Sequence, residues 1–295
     1  MLDTRTPSVA RAYDHLLGGE ASFAADRALA GRLVALYPGL QDTLISSRRQ
    51  VADAVARIAR QGVDQYLDVG AGLPTRPSTH ATARAQLPAA RVAYVDRDPL
   101  VVEHGTDLVP AGVRYYSGDL TEPEALLATL SYRRAPAAPT PVHPPTHVQP
   151  PTHVQPPTHV QPPTHVPPPI HAPPRAQAQP AAPDAAGFID FSRPICLVLA
   201  LVVQALEPGT ARAVVGVLVK ALPPGSCLIT TVGAGAAGRL PDALWPAAAT
   251  EPDLAAFFGG LDLLPPGVTR QGDVLCGVGV KPYSGRPHDL GRTHG

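Results

Sequence analysis

Six short apolar runs, each bounded by Gly, Pro or Asp, alternate with segments of helical periodicity. This alternation constrains the fold of the 295-residue chain more than any other feature. The runs are QYLDVG (65–70), RVAYVD (91–96), VRYYSGD (113–119), ICLVLALV (195–202), SCLITTVG (226–233) and VLCGVGVKP (274–282). Helical spacing marks 23–36 and 44–60, the latter ending before Gly62, a residue suited to the position after a helix. Further helical segments fall at 78–87, 99–108, 122–130, 209–222 and 251–259. Strands alternating with helices predict an α/β fold, a mostly parallel sheet with helices on both faces. The fourth and fifth runs are almost wholly apolar, which suits the sheet centre. The last follows the turn LLPPGV and is expected to be antiparallel.

One stretch breaks the pattern. From Arg133 to Ala186 the sequence is Pro-rich, with a near-perfect PTHVQP repeat. Few donors and few large apolar side chains leave it unable to offset chain entropy. It reads as a disordered insert of polyproline II character. The expected organisation is then four parts. N-terminal helices and the first half of an α/β domain occupy 1–132, and the insert occupies 133–186. The second half of the domain occupies 187–283, and a flexible tail 284–295. The insert joins the helix after the third strand to the fourth strand. It should therefore leave from the amino ends of the strands, away from a ligand cleft at their carboxyl ends. His147, His153, His159 and His165 recur every six residues, which spaces them roughly 19 Å apart on an extended polyproline II helix. No single ion can bridge that distance, so no metal site is expected there.

Formal net charge is zero, and no basic cluster or aromatic platform is present. Neither nucleic acid nor an acidic membrane is implied as a partner. The longest apolar run has 12 residues, short of the roughly 20 a membrane helix needs. Cys196, Cys227 and Cys276 are odd in number, far apart and set in apolar runs, which reads as buried thiols in a cytoplasmic protein.

The chemistry starts at QYLDVGAGLPTRPSTH (65–80). Asp68 ends the first strand, and Gly70 and Gly72 make a G-x-G turn that lets a ligand approach the backbone. A dinucleotide fingerprint needs a third glycine at 75, where Thr75 stands after Pro74. A phosphate-binding loop of the Gly-Lys-Ser/Thr kind is absent too. The turn therefore suits a nucleoside-like ligand, or serves as an ordinary strand-to-helix turn. Asp96 ends the second strand, 24 residues after Gly72, where an acid can take both ribose hydroxyls. Asp119 ends the third strand, where it can meet an adenine amino group or cap the next helix.

These residues resemble the actinobacterial S-adenosylmethionine-dependent methyltransferase family once catalogued as a domain of unknown function. The resemblance rests on ARAYDHLLGGEASFAADR (10–27), YLDVGAGLPT (66–75), RVAYVDRDPLVV (91–102), GDLTEPEALL (118–127), IDFSRPICLVL (189–199) and FFGGLDLLPPGV (257–268). It implies the class I, Rossmann-like methyltransferase sheet of seven strands with an antiparallel last hairpin. It implies S-adenosylmethionine as cofactor and a methyl acceptor that is expected to be a small molecule. Asp68, Gly70 and Gly72 match the loop facing the methionine part, Asp96 the ribose acid, and Asp119 with Leu120 the adenine end. Tyr13, Asp14, Gly18 and Gly19 match an N-terminal motif that folds over the cofactor. His80 matches a family histidine and is otherwise a packing residue. Tyr13, Asp14 and His80 are the candidates for a general base. Two departures stand out: Glu20-Ala21-Ser22 replaces Lys-Asp-Asn, and Gln204-Ala205 replaces His-Phe. They support an alternative, an inactive S-adenosylmethionine-binding module with a regulatory or interaction role. A nicotinamide-dependent oxidoreductase is a further alternative, disfavoured by Thr75. Trp245 is a candidate to cover the cleft, or else a surface anchor. The oligomeric state is left open.

Overall fold

The computed structural model describes residues 4–131, 188–234 and 249–283. The expectations for the insert 133–186, for the tail 284–295 and for Trp245 lie outside these residues. The helices are α1 (Val9–Leu16), α2 (Ala24–Leu36), α3 (Leu40–Arg60), α4 (Thr79–Gln86), α5 (Pro99–Leu108), α6 (Pro123–Ser131), α7 (Pro208–Ala221) and α8 (Glu251–Ala255). The strands are β1 (Gln65–Val69), β2 (Arg91–Asp96), β3 (Val113–Ser117), β4 (Cys196–Ala200), β5 (Cys227–Gly233), β6 (Asp262–Leu263), β7 (Thr269–Gln271) and β8 (Val274–Val280).

The strand order is β3-β2-β1-β4-β5-β8, with β6 and β7 both paired to β8. The first five strands are parallel, and β8 runs antiparallel to β5. All six apolar runs are strands, and β8 is antiparallel as expected. The seventh place in the sheet is shared. β6 pairs with Gly279 and Val280, and β7 with Val274 to Cys276; the Leu264 amide still donates to the Val278 carbonyl at 2.8 Å, and Pro265 to Val268 lie between the two paired stretches. Pro265 and Pro266 have no N–H to give to β8, so a single strand cannot continue there.

Every residue of β1 is buried, because helices cover both faces. Side chains alternate along it. Leu67 and Val69 join α6 and α7 on one face, and Tyr66 joins α3 and α5 on the other. α3 starts at Leu40, four residues before the expected start, and Leu40 and Leu44 pack with α1 and α2 in a third cluster. Local chemistry fixes the helix ends. The Glu207 carboxylate accepts from the Gly209 and Thr210 amides, and Asp98 accepts from Leu100 with Pro99 in the first turn. Gly62 follows α3 with φ +93°, as its sequence position implied. The described residues resume at Phe188. Asp190 exchanges two hydrogen bonds with the Gln65 side chain, at the amino end of β1. Cys196, Cys227 and Cys276 are all buried and unpaired. Among the described residues no group of side chains could hold a metal ion, and no helix is long and apolar enough to cross a membrane.

Candidate functional site

Strand order reverses between β1 and β4, and open α/β sheets bind ligands in the crevice at the carboxyl ends beside such a point. The chain leaves β1 through Gly70 (φ +67°) and Gly72 (φ +61°). Both lie in the left-handed region that glycine enters without cost. The Gly70 and Ala71 amides donate to the Val95 carbonyl at 2.9 and 3.1 Å, which folds the turn onto the end of β2. A methyl group on Gly70 would overlap Val202, from the segment after β4. Gly70→Ala is therefore expected to cost at least about 1–2 kcal/mol of stability from the backbone alone, measured by urea unfolding.

Asp68, next to last in β1, and Asp96, last in β2, lie on the same face of neighbouring strands. Asp68 is buried and accepts from the Thr79 hydroxyl at 2.6 Å, in the first turn of α4. Burial pushes its carboxyl up to about 6, and the nearby Asp96 charge adds to the rise, against Thr79 and Arg48. Asp96 is held at both oxygens. The Gly72 amide donates to Oδ2 at 2.8 Å and the Asp98 amide to Oδ1 at 2.9 Å. Burial raises its pKa as well. Each oxygen keeps a lone pair for a further donor.

Helix α1 closes over this edge. Ala10 comes to within 3.8 Å of where a Gly72 side chain would be. Asp14 is buried and accepts from the Thr75 hydroxyl at 2.6 Å. The residue in the place of the third glycine thus ties the loop to the N-terminal helix. Gly18 (φ +82°) turns the chain after α1, and any side chain on Gly19 would overlap the Asp14 carboxylate. Tyr13 accepts from Arg48 Nε at 3.2 Å, with the guanidinium carbon 5.2 Å from the ring centre. Arg48 also donates to the carbonyls of Thr75 and Leu73, at 2.9 and 3.2 Å. Arg11 is 2 % exposed and binds Asp26 at 2.9 Å and Asp98 at 2.7 Å. It joins α1 to α2 and to the loop after Asp96.

Arg11, Arg48 and Asp98 were missed in the sequence reading. Arg48 had a legible signal: it lies on the stripe Leu44, Val51, Val55 of α3, a charge on an otherwise apolar face. Arg11 had none, because Asp98 lies 87 residues away.

The other expected residues are placed as follows. His80 is half-buried; its amide and Nδ1 lie 3.0 and 2.9 Å from the Tyr94 hydroxyl. Burial lowers its pKa, helped by Arg84, so the ring is neutral near pH 7. Tyr94 stacks on Tyr115, which donates to the Gly72 carbonyl at 3.0 Å. His80 thus belongs to the packing behind the glycine turn. Asp119 accepts from the Thr121 amide and hydroxyl, both at 2.8 Å, and so shapes the turn before α6. Its other oxygen lies 3.9 Å from Arg97. The Leu120 side chain is in the core with Leu126 and Leu130. In the departure at 20–22, Ala21 packs against the sheet cluster.

Across the crevice the chain leaves β4 through Leu201, whose φ of +54° is left-handed and strained for a side-chain-bearing residue. A 3-10 turn, Val203–Ala205, follows. The Gln204 Oε1 accepts from the Gly233 amide at 2.6 Å, joining the ends of β4 and β5.

A parallel sheet reversing at β1 and β4, an antiparallel final pair, a glycine turn after the first strand and an acid closing the second define a class I, Rossmann-like methyltransferase. The chain belongs to the S-adenosyl methyltransferase family, whose model matches residues 1–142 and 169–274. S-adenosylmethionine is its cofactor. A candidate methyltransferase from Thermobifida fusca YX is similar at 28 % identity and a TM-score of 0.70, over 95 % of this chain and 97 % of that one. A family protein of domain of unknown function 574, from Streptomyces avermitilis MA-4680, shares the fold at 23 % identity and a TM-score of 0.69, over 96 % and 100 % of the two chains. No curated protein matches the chain.

Proposed function

We propose that the chain methylates a small-molecule acceptor, with the cofactor lying along the carboxyl ends of β1, β2 and β3. The observation that carries this reading is the Asp96 carboxylate, fixed at both oxygens by the amides of Gly72 and Asp98. It can accept from two ribose hydroxyls without moving. Gly70 and Gly72 leave the backbone open to the methionine arm, with Asp68 beneath it. Asp119 and Leu120 stand at the adenine end, Asp119 with the oxygen that faces Arg97 and Leu120 with its main chain. Tyr13, Asp14, Gly18 and Gly19 cover the arm as parts of α1 and its exit turn. The neutral net charge and the lack of a basic cluster support a small acceptor over a nucleic acid.

The cofactor supplies a methyl group on a cationic sulfur, and the reaction is an in-line displacement. The chain's part is positioning and exclusion of water. Tyr13, Asp14 and His80 are each engaged elsewhere, with Arg48, Thr75 and Tyr94. This favours positioning over proton removal for all three. Titration calorimetry with S-adenosylmethionine, S-adenosylhomocysteine and NAD tests the reading. The first two should bind; micromolar binding of NAD alone would overturn it.

Asp68 gives the binding a pH dependence. Its folded pKa of about 6 lies above the ordinary 3.8. Between those values the folded chain holds the extra proton, so this group makes folding less favourable as pH rises from about 4 to 6. A cationic ligand favours the ionised form. Affinity for S-adenosylmethionine should therefore fall below pH 6, by up to ~10-fold per pH unit. Asp68→Asn should abolish that slope in calorimetry at pH 5 to 8.

A further inference from the structure

Gln204 holds the buried side-chain atom that stands without a hydrogen-bond partner among the described residues, its Nε2. The residue is 9 % exposed. Its amide cannot be turned over. Oε1 faces the Gly233 N–H at 2.6 Å, and an N–H must meet an oxygen. The free end is therefore the NH2 group, a donor only. Buried donors are almost always paired, and an exception calls for an explanation.

Its place in the fold supplies one. The 3-10 turn that carries Gln204 begins one residue after Val202, whose side chain rests on Gly70 at the point where strand order reverses. Gly233 is the last residue of β5. The amide group thus lies at the carboxyl edge, on the β4–β5 side. Asp68, Gly70, Asp96 and Asp119 lie on the β1–β3 side and account for the cofactor. The strained Leu201 directs the chain into this turn, with its amide donating to the Thr231 carbonyl at 3.0 Å. The carbonyl end of Gln204 serves the Gly233 amide, but among the described residues the packing around it gives the NH2 end no partner.

The geometry points to Gln204 as a specificity-determining residue. Its Nε2 donates to an oxygen of the methyl acceptor, and so selects small molecules that carry a carboxylate or carbonyl group over amines. This inference rests on the cofactor placement proposed above.

Gln204→Glu is the discriminating variant. It keeps an oxygen for the Gly233 amide and replaces the two donors by an acceptor. Benzoate and benzylamine are titrated into protein saturated with S-adenosylhomocysteine. The wild type should bind benzoate in preference to benzylamine. Q204E should bind benzoate at least ~10-fold more weakly, with S-adenosylhomocysteine affinity nearly unchanged. Gln204→Met, which adds no charge, should also weaken benzoate, and it decides the matter if Q204E fails to fold. Equal benzoate binding by wild type and variant would overturn the inference. So would equal binding of the two probes, failure of both to bind, or a loss of S-adenosylhomocysteine affinity as large as the loss of benzoate. Failure of the wild type to bind S-adenosylhomocysteine, read before any probe is added, overturns the cofactor placement itself.

Discussion

Replacing Arg11 by methionine is expected to lower folding stability by about 3–5 kcal/mol, the cost of removing one partner from a buried ion pair. Asp26 is fully buried and accepts from Arg11, from the Ser8 amide and from the Phe23 amide. Burial alone would raise its pKa, but Arg11 and the two amides outweigh burial and hold the carboxyl below its ordinary value. The sign follows from linkage. A depressed carboxylate adds stability that is present above its unfolded pKa, near 4, and lost as pH falls through the folded one. Without Arg11 that contribution shrinks. The gap between wild type and Arg11→Met should be widest at neutral pH and narrow toward pH 3, in urea unfolding followed by circular dichroism. The companion Arg11→Met/Asp26→Leu removes the stranded charge and should recover part of the loss. A double variant no more stable than the single one would show that the pair's charge is not what matters.

Asp96→Ala should weaken S-adenosylhomocysteine binding by about 1.5–3 kcal/mol, roughly 10- to 150-fold, from lost charged hydrogen bonds. The Gly72 and Asp98 amides also lose their acceptor, so some stability goes too. The two effects separate on Asp96→Asn, which keeps one oxygen to orient the turn. Unchanged affinity in both variants, by calorimetry at pH 7.5, would remove Asp96 from the site.

Much of this architecture was legible because it is local. Six of the eight strands read as short apolar runs, and the acids Asp68 and Asp96 stand toward the ends of the first two. The helical segments expected at 99–108 and 209–222 are α5 and α7, which start at Pro99 and Pro208. What escaped reading is held by long-range pairs. Thr75 was read only as a missing glycine, yet its hydroxyl binds Asp14, 61 residues away. Arg48 reaches the loop at 73–75 across more than 20 residues. Gln204 could be noticed as a departure from a family pattern, but its unpaired nitrogen exists only once β4 and β5 are side by side. β6 and β7, two and three residues long, are too short to show a period.

Those two strands bear on how the chain behaves among its own copies. A long outer strand offers a row of free amides and carbonyls to which a neighbouring molecule can add itself. Here that border is broken into two pieces, with Pro265 and Pro266 between them. No continuous row of donors survives for a second sheet to extend. The same prolines that leave β8 with a divided neighbour therefore protect this side of the sheet from fibril-like growth.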